Sequence, residues 1–103
     1  MTEMELKAKE LYESIEYKYF ESLNAAIEYY SNKGDEETRI QLGTIYNKLQ
    51  GVKYEIKKVD LSNEEIATEK LNELSARFKN LISQYRKLVG DRYLAFLSAH
   101  KPL

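Results

Sequence analysis

The sequence contains no cysteine, one proline and only four glycines. A chain without cysteine can form neither disulfide bonds nor thiolate metal sites. Scarce glycine and proline leave little material for the tight turns of β-hairpins, so we expect no sheet. Because the single proline is Pro102, no residue before it interrupts a long helix by removing a backbone donor.

Long apolar runs are also missing. No stretch approaches the roughly 18 uninterrupted apolar residues that a membrane-spanning helix needs. The first residues are acidic and lack the apolar core of a secretory signal. We therefore expect a cytoplasmic protein without an integral membrane segment.

The composition is that of one globular domain over residues 1–103, since 43% of the residues are hydrophobic and 32% are charged. The net charge is −1, but residues 1–37 hold ten acidic and four basic residues, whereas residues 38–103 hold seven acidic and twelve basic ones. Either the two halves neutralise each other in the fold, or the basic half meets an acidic partner or an anionic surface. The near-neutral total argues against nucleic-acid binding.

Apolar residues recur every three or four positions over a first stretch, which predicts an amphipathic helix. Thr2 followed by Glu5 is a capping box at its start, and Gly34 marks its end. The step from Ile15 to Tyr19 is four residues where a heptad repeat requires three, which is a stutter. The helix either divides near this point or runs through it, and we predict one helix because no glycine or proline forces a break. The stripe consists of Met4, Ala8, Leu11, Ile15, Tyr19, Leu23, Ala26 and Tyr30.

A second helix is predicted to begin at Asp35, an N-cap residue followed by two glutamates that favour the helix dipole. Gly43 and Gly51 lie inside it and predict a close approach of a neighbouring helix, with a hinge at Gly51 as the alternative. Its apolar residues alternate strictly at intervals of three and four, which is a heptad pattern. They are Leu42, Ile45, Leu49, Val52, Ile56 and Val59.

A third helix is predicted from a capping box of Ser62 and Glu65, with Leu61 and Ile66 as a hydrophobic staple. Gly90 is the predicted end of this helix. The apolar stripe again follows four-three spacing and consists of Ala67, Leu71, Leu74, Phe78, Leu81, Tyr85 and Leu88.

The predicted links between these helices are very short, which forces consecutive helices to be antiparallel neighbours. After Gly90, Asp91 can cap one more short helix. We therefore predict an all-α fold, an antiparallel up-down bundle of three long helices plus a short C-terminal helix, which makes a four-helix bundle.

Candidate catalytic or metal-binding groups are sparse. The one histidine, His100, is predicted to be solvated, and no nucleophile–base pair is suggested. Acidic pairs at helical spacing lie off the apolar stripes, so we interpret them as solvated faces, with Arg77 supporting the last pair. These pairs are Glu10/Glu13, Glu65/Glu69 and Glu69/Glu73. We expect a protein that is not an enzyme and has no metal, cofactor or catalytic residue.

Nine tyrosines exceed what three narrow stripes can bury. Tyrosine combines apolar area with a polar tip, so it suits both the edge of a core and a protein interface. We predict that Tyr17 and Tyr29 are the more exposed ones. Those predicted to widen the core while keeping a wet hydroxyl are Tyr19, Tyr30, Tyr46 and Tyr85.

In the C-terminal stretch, basic residues are followed by aromatic and aliphatic ones. This is typical of a short amphipathic segment that docks on its own bundle or on a partner. The residues predicted to contact a partner are Arg86, Lys87, Arg92, Tyr93, Phe96, Leu97 and Lys101.

Residues 39–81 resemble the pediocin-like (class IIa) bacteriocin immunity proteins. The passage apolar-x-Leu-Ser-x-Glu-Glu at residues 59–65, followed by Leu-x-x-Leu at residues 71–74, is similar to the junction between the third and fourth helices of that family. Leu11-Tyr12, in the predicted first helix of this chain, is similar to the Leu-Tyr pair near their N-terminus. The chain departs from the family pattern at residues 12–31, where the usual loop between the first two helices is missing.

The resemblance implies a cytosolic protein that protects its producer cell from a secreted pore-forming peptide. It further implies binding to the peptide's membrane receptor, the mannose-type sugar-uptake permease, when the toxin is bound. Specificity in the family lies largely in the C-terminal part, which corresponds here to residues 86–103.

A second hypothesis is a helical adaptor, chaperone or complex subunit that forms a homodimer. The heptad patterns of the second and third helices could pack between two chains as readily as within one. The sequence leaves both a monomer and a homodimer open.

Overall fold

The structure, a computed structural model, describes the backbone of residues 2–99 and the side chains of residues 2–90. Its regular secondary structure is all helical, with turns at residues 33–35 and 58–63, and the described residues hold no strand. In chain order the elements are α1 (Glu3–Glu13), a π-helical segment (Ser14–Tyr19), α2 (Phe20–Asn32), α3 (Glu36–Lys57) and α4 (Glu64–Ala99). Since α1, the π segment and α2 are continuous, they form the single long first helix that the sequence predicts.

The first helix begins and ends at the predicted residues. The amide of Glu5 donates to Oγ1 of Thr2 at 3.1 Å, which is the N-cap bond of the capping box. Gly34 has a φ of 77°, a left-handed conformation that costs glycine no steric strain. The amide of Asp35 then donates to the carbonyl of Tyr30 at 3.0 Å, which satisfies an acceptor of the last helical turn.

The π segment lies where the apolar spacing contains one extra residue. The amide of Phe20 donates to the carbonyl of Ile15, five residues earlier rather than four. This wider turn brings residues five apart onto one face, and Ile15 and Phe20 are both buried. The predicted stripe did not include Phe20, which the π turn buries, whereas Tyr19 lies half-buried at the edge of the core as predicted.

α3 begins as predicted, with the amide of Thr38 donating to Oδ1 of Asp35 at 3.2 Å. The helix is continuous past Gly43 and Gly51, so it has no hinge at Gly51. A Cβ atom added at either glycine would meet nothing within 4 Å. The prediction that the two glycines mark a close approach of another helix is therefore wrong.

α4 begins one residue later than its capping box predicts. Ser62 does not cap it, because its amide and hydroxyl both donate to Oδ1 of Asp60, at 3.0 and 2.5 Å. Asn63 takes the capping role and accepts from the amide of Ile66 at 3.3 Å. The predicted staple is also absent, since Leu61 is exposed and Ile66 is 56% exposed.

α4 runs parallel to the first helix. Lys7 Nζ donates to Oδ1 of Asn72 at 3.0 Å, and further along both helices Ser22 Oγ lies 2.5 Å from the Tyr85 hydroxyl. Residue numbers rise together along this pair of helices, so their N-termini share one end of the molecule.

α3 runs antiparallel to the first helix. Phe20 stacks on Tyr46 with ring centroids 4.6 Å apart. Towards the start of the first helix, Glu16 pairs with Lys53, which lies later in α3, at 2.6 Å. Together with the parallel α4, this order makes an up-down-up bundle.

One core joins all three helices. Every residue of the predicted α3 stripe is buried in it or packs against it, as are the stripe residues of α4 from Leu71 onward. Ile82 and Val89 are buried as well, although they lie off the predicted stripe. The heptad stripes of α3 and α4 are therefore occupied by contacts within one chain.

α4 is interrupted at Gly90, which has φ 70° and ψ 170°. Helical backbone continues beyond it to Ala99. Gly90 is therefore the break that the sequence predicts, and the described part of the chain is a helical bundle built on three helices.

Candidate partner-binding groove

A shallow groove lies between the π segment and the second half of α4, and we call it the basic groove. Its apolar lining is Tyr19, Phe78 and Ile82. Its polar lining is Lys79, Ser83, Arg86 and Lys87. The groove combines apolar side chains that are buried or half-buried with three exposed cations.

The apolar part of the basic groove is held by contacts between two helices. The rings of Tyr19 and Phe78 meet edge to face, with centroids 5.4 Å apart and planes at 72°. Tyr19 is the last residue of the π segment, so the irregular turn places its ring at the edge of the core. Lys18 Nζ lies 5.3 Å from the Tyr19 ring centroid and adds positive charge beside the groove.

The cations of the basic groove share one face of α4. Lys79 and Arg86 are seven residues apart, two helical turns, and Lys87 is the next residue along. Among the described residues, none of these three cations forms an ion pair with a carboxylate. Within the described residues, no ion pair therefore neutralises the positive charge on this face.

The other two cations of α4 whose side chains are described, Lys70 and Arg77, are paired. Arg77 contacts Glu73 within α4 and Glu55 of α3, each at 2.6 Å. Lys70 approaches both of these acids at 3.6 Å. This network joins α3 to α4, and it confirms the predicted support of Glu73 by Arg77.

A hydroxyl pair joins α2 to α4 further along the same helices. Tyr85 is 1% exposed, and its hydroxyl shares a hydrogen bond with Ser22. Burial raises the pKa of Tyr85 above its usual value of 10.0, and the hydrogen bond with Ser22 offsets part of that effect. The prediction of a wet hydroxyl at the core edge is therefore wrong for Tyr85. Tyr17 is exposed as predicted, whereas Tyr29 is half-buried against Tyr30.

The structure places two of the predicted contact residues, Arg86 and Lys87, in the basic groove. Sequence reasoning missed Lys79, which its seven-residue spacing from Arg86 could have revealed. It also missed the part played by Tyr19, because no local pattern links that residue to α4. Six further residues of the sequence predictions lie outside the residues or side chains that the structure describes. They are Arg92, Tyr93, Phe96, Leu97, His100 and Lys101.

The acidic pairs of the sequence give no metal site within the described residues. Glu64, Glu65 and Glu69 lie along an open, exposed face near the start of α4. No group of three or more His, Cys, Asp or Glu side chains in the described part could hold a metal ion.

None of the described helices contains a stretch both long and apolar enough to cross a membrane. Comparison with protein-family models, with curated proteins and with solved structures finds no match to this chain. The geometry of the basic groove and the residues of the chain are therefore the basis for a functional proposal.

Proposed function

We propose that the protein is a bacteriocin immunity protein of the class IIa type, which acts by binding and not by catalysis. In this proposal it works in the cytoplasm and engages the membrane receptor, a mannose-type permease, while the pore-forming peptide is bound. Holding a pore closed requires a binding surface that discriminates between partners and requires no bond to be made or broken.

The observation that supports the proposal is the basic groove. Its three cations have no ion pair among the described residues, and they line the same groove as two half-buried aromatic rings. Aromatic and arginine side chains are the residue types that contribute most at protein interfaces. The groove also leads along α4 towards residues 86–103, where the family resemblance puts specificity.

The same proposal includes a fourth helix and its part in the contact. Residues 91–99 would form a short fourth helix beyond the Gly90 break. Tyr93 and Phe96 would extend the aromatic surface, and Arg92, Leu97 and Lys101 would complete the contact with the partner. The groove would then be one half of a surface whose other half is the C-terminal segment.

Expression in a sensitive lactic acid bacterium tests the proposal. We expect cells that express the chain to survive a raised dose of at least one peptide in a class IIa panel, relative to cells with an empty vector. The double variant Tyr93→Ala/Phe96→Ala should lose this protection while keeping its helical circular-dichroism signal. Sensitivity to every peptide in the panel would contradict the proposal.

A further inference from the structure

We propose that the basic groove binds an acidic peptide segment of a protein partner, with an aromatic or branched aliphatic side chain between its carboxylates. The inference rests on the proposed function in one respect, since that function supplies the partner, a receptor whose cytoplasmic side would carry such a segment. The chemistry of recognition itself follows from the groove.

Charge gives the first part of this recognition. Lys79, Arg86 and Lys87 are exposed on one helical face and have no ion pair among the described residues. A segment with carboxylates at matching intervals would pair with all three, and the guanidinium of Arg86 can hold a carboxylate in two parallel hydrogen bonds. Such pairs are partly exposed, so their strength should fall as salt is raised.

The apolar lining gives the second part. Tyr19 and Phe78 form a half-buried edge-to-face pair in the same groove as the cations, and the buried Ile82 also lines it. An apolar side chain from a peptide could pack on these rings while its neighbouring carboxylates reach Lys79 and Arg86. Anchor residues of this kind carry much of the energy of peptide recognition.

The shape of the groove favours a peptide over a lipid surface. Segments that bind a bilayer push apolar side chains out from a helix into the lipid. Here the aromatic rings lie in a groove between two helices and are half-buried, so a flat membrane surface would meet the cations and miss the rings. A narrow chain can reach both.

Fluorescence anisotropy with purified protein tests the inference. The probe is a short labelled peptide of glutamate and alanine with one central leucine, and its controls replace the leucine by alanine or each glutamate by lysine. Vesicles of phosphatidylglycerol form a separate arm. We expect saturable binding of the leucine peptide, weaker binding of the alanine peptide, none of the lysine peptide, and no uptake by vesicles.

Two charge-reversal variants locate the site. Lys79→Glu/Arg86→Glu/Lys87→Glu should weaken binding of the leucine peptide by at least about tenfold, which corresponds to about 1.4 kcal/mol. Lys9→Glu/Lys48→Glu/Lys58→Glu changes the net charge equally at exposed positions outside the groove and should bind like the wild type. All of these side chains are exposed, and circular dichroism checks that both variants stay folded.

The inference is overturned by no binding of the leucine peptide, by equal loss in both triple variants, by equal affinity for the leucine and alanine peptides, or by binding to vesicles alone. Because the assay uses purified components, its result is independent of cell protection. Protection without peptide binding would reject the inference alone, and peptide binding without protection would reject the proposed immunity function alone.

Discussion

Tyr85 carries a phenol hydroxyl into the core, and Ser22 provides its hydrogen-bond partner across the gap between α2 and α4. A buried hydroxyl without a partner would cost about 1–3 kcal/mol, so the pair removes a penalty as well as joining two helices. Spacing predicted that Tyr85 faces the core. It could not predict full burial, because the hydroxyl partner comes from a helix more than 60 residues away in sequence.

Tyr85→Phe should destabilise the protein by about 0.5–1.5 kcal/mol at neutral pH, because it removes the hydrogen bond and keeps the ring. Ser22→Ala should cost a comparable amount. The double variant should cost less than the sum of the two, since both single changes break the same bond. Urea unfolding of the four proteins measures this coupling, and strict additivity would show that the two hydroxyls do not interact.

The raised pKa of Tyr85 also predicts a pH dependence. The folded state favours the neutral phenol, so this contribution to stability is present below pH 10.0 and is lost as pH rises towards the folded-state pKa. The stability difference between the wild type and Tyr85→Phe should therefore shrink above pH 10.0. Urea unfolding across this range measures it, and a constant difference would contradict the assignment.

Gly43 and Gly51 lie inside α3 with open space where a Cβ would be. Replacing either with alanine should therefore stabilise the protein by about 1 kcal/mol, the difference in helix propensity. Gly34→Ala is the matched control and should destabilise, because its φ of 77° strains any residue with a Cβ. Thermal unfolding measures all three, and a lower midpoint for Gly43→Ala or Gly51→Ala would mean that a partner or helix approaches there.

Among the helices, α3 could be predicted almost completely from spacing. Its strict alternation of three and four residues places all its apolar side chains on one face of a straight helix. The stutter in the first helix predicted where irregularity lies but not its form. An extra residue can be absorbed by unwinding over several turns or in one π turn. Tertiary packing accompanies the π turn here, since the turn puts Phe20 on the same face as Ile15, where its ring stacks on Tyr46.

The start of α4 could not be predicted for a different reason. Ser62 and Asn63 are both good N-cap residues. The choice between them depends on Asp60, which binds the Ser62 amide and hydroxyl and leaves Asn63 to cap the helix. Competing side-chain bonds of this kind shift a helix boundary by one residue without changing the apolar pattern.

Deletion of Tyr17 tests the account of the π segment. Tyr17 is 69% exposed, and removing it leaves Ile15 and Phe20 four residues apart, the interval that a regular α-helix places on one face. We expect a folded bundle with a melting temperature close to that of the wild type. Amide and Cα chemical shifts from NMR should report regular α-helix through this region.

Deletion of Asn47 is the control. Asn47 is also exposed, but it lies in a regular part of α3, so its loss rotates Leu49 and the following residues by about 100° away from the core. This variant should lose cooperative unfolding. If deletion of Tyr17 is equally damaging, the extra residue is required by the fold and is not simply absorbed by it.

At the scale of the whole molecule, the uneven charge of the sequence has two outcomes. Part of it is neutralised between the halves, as when Lys53 pairs with Glu16 at 2.6 Å. The hydrogen bond with Glu16 raises the pKa of Lys53, so this lysine keeps its charge. The cations of the basic groove stay without ion pairs in the described part. Sequence could predict the basic stretch that contains Arg86, but the groove needed the tertiary contact between Tyr19 and Phe78.

We propose that the basic groove is the partner-binding surface of an immunity protein. The most direct test compares how well three proteins, expressed at equal levels, protect sensitive cells. These are the wild type, the groove variant Lys79→Glu/Arg86→Glu/Lys87→Glu, and the control variant Lys9→Glu/Lys48→Glu/Lys58→Glu. We predict that the wild type and the control variant protect against the same class IIa peptide and that the groove variant, although folded, does not. Full protection by the groove variant would contradict this proposal.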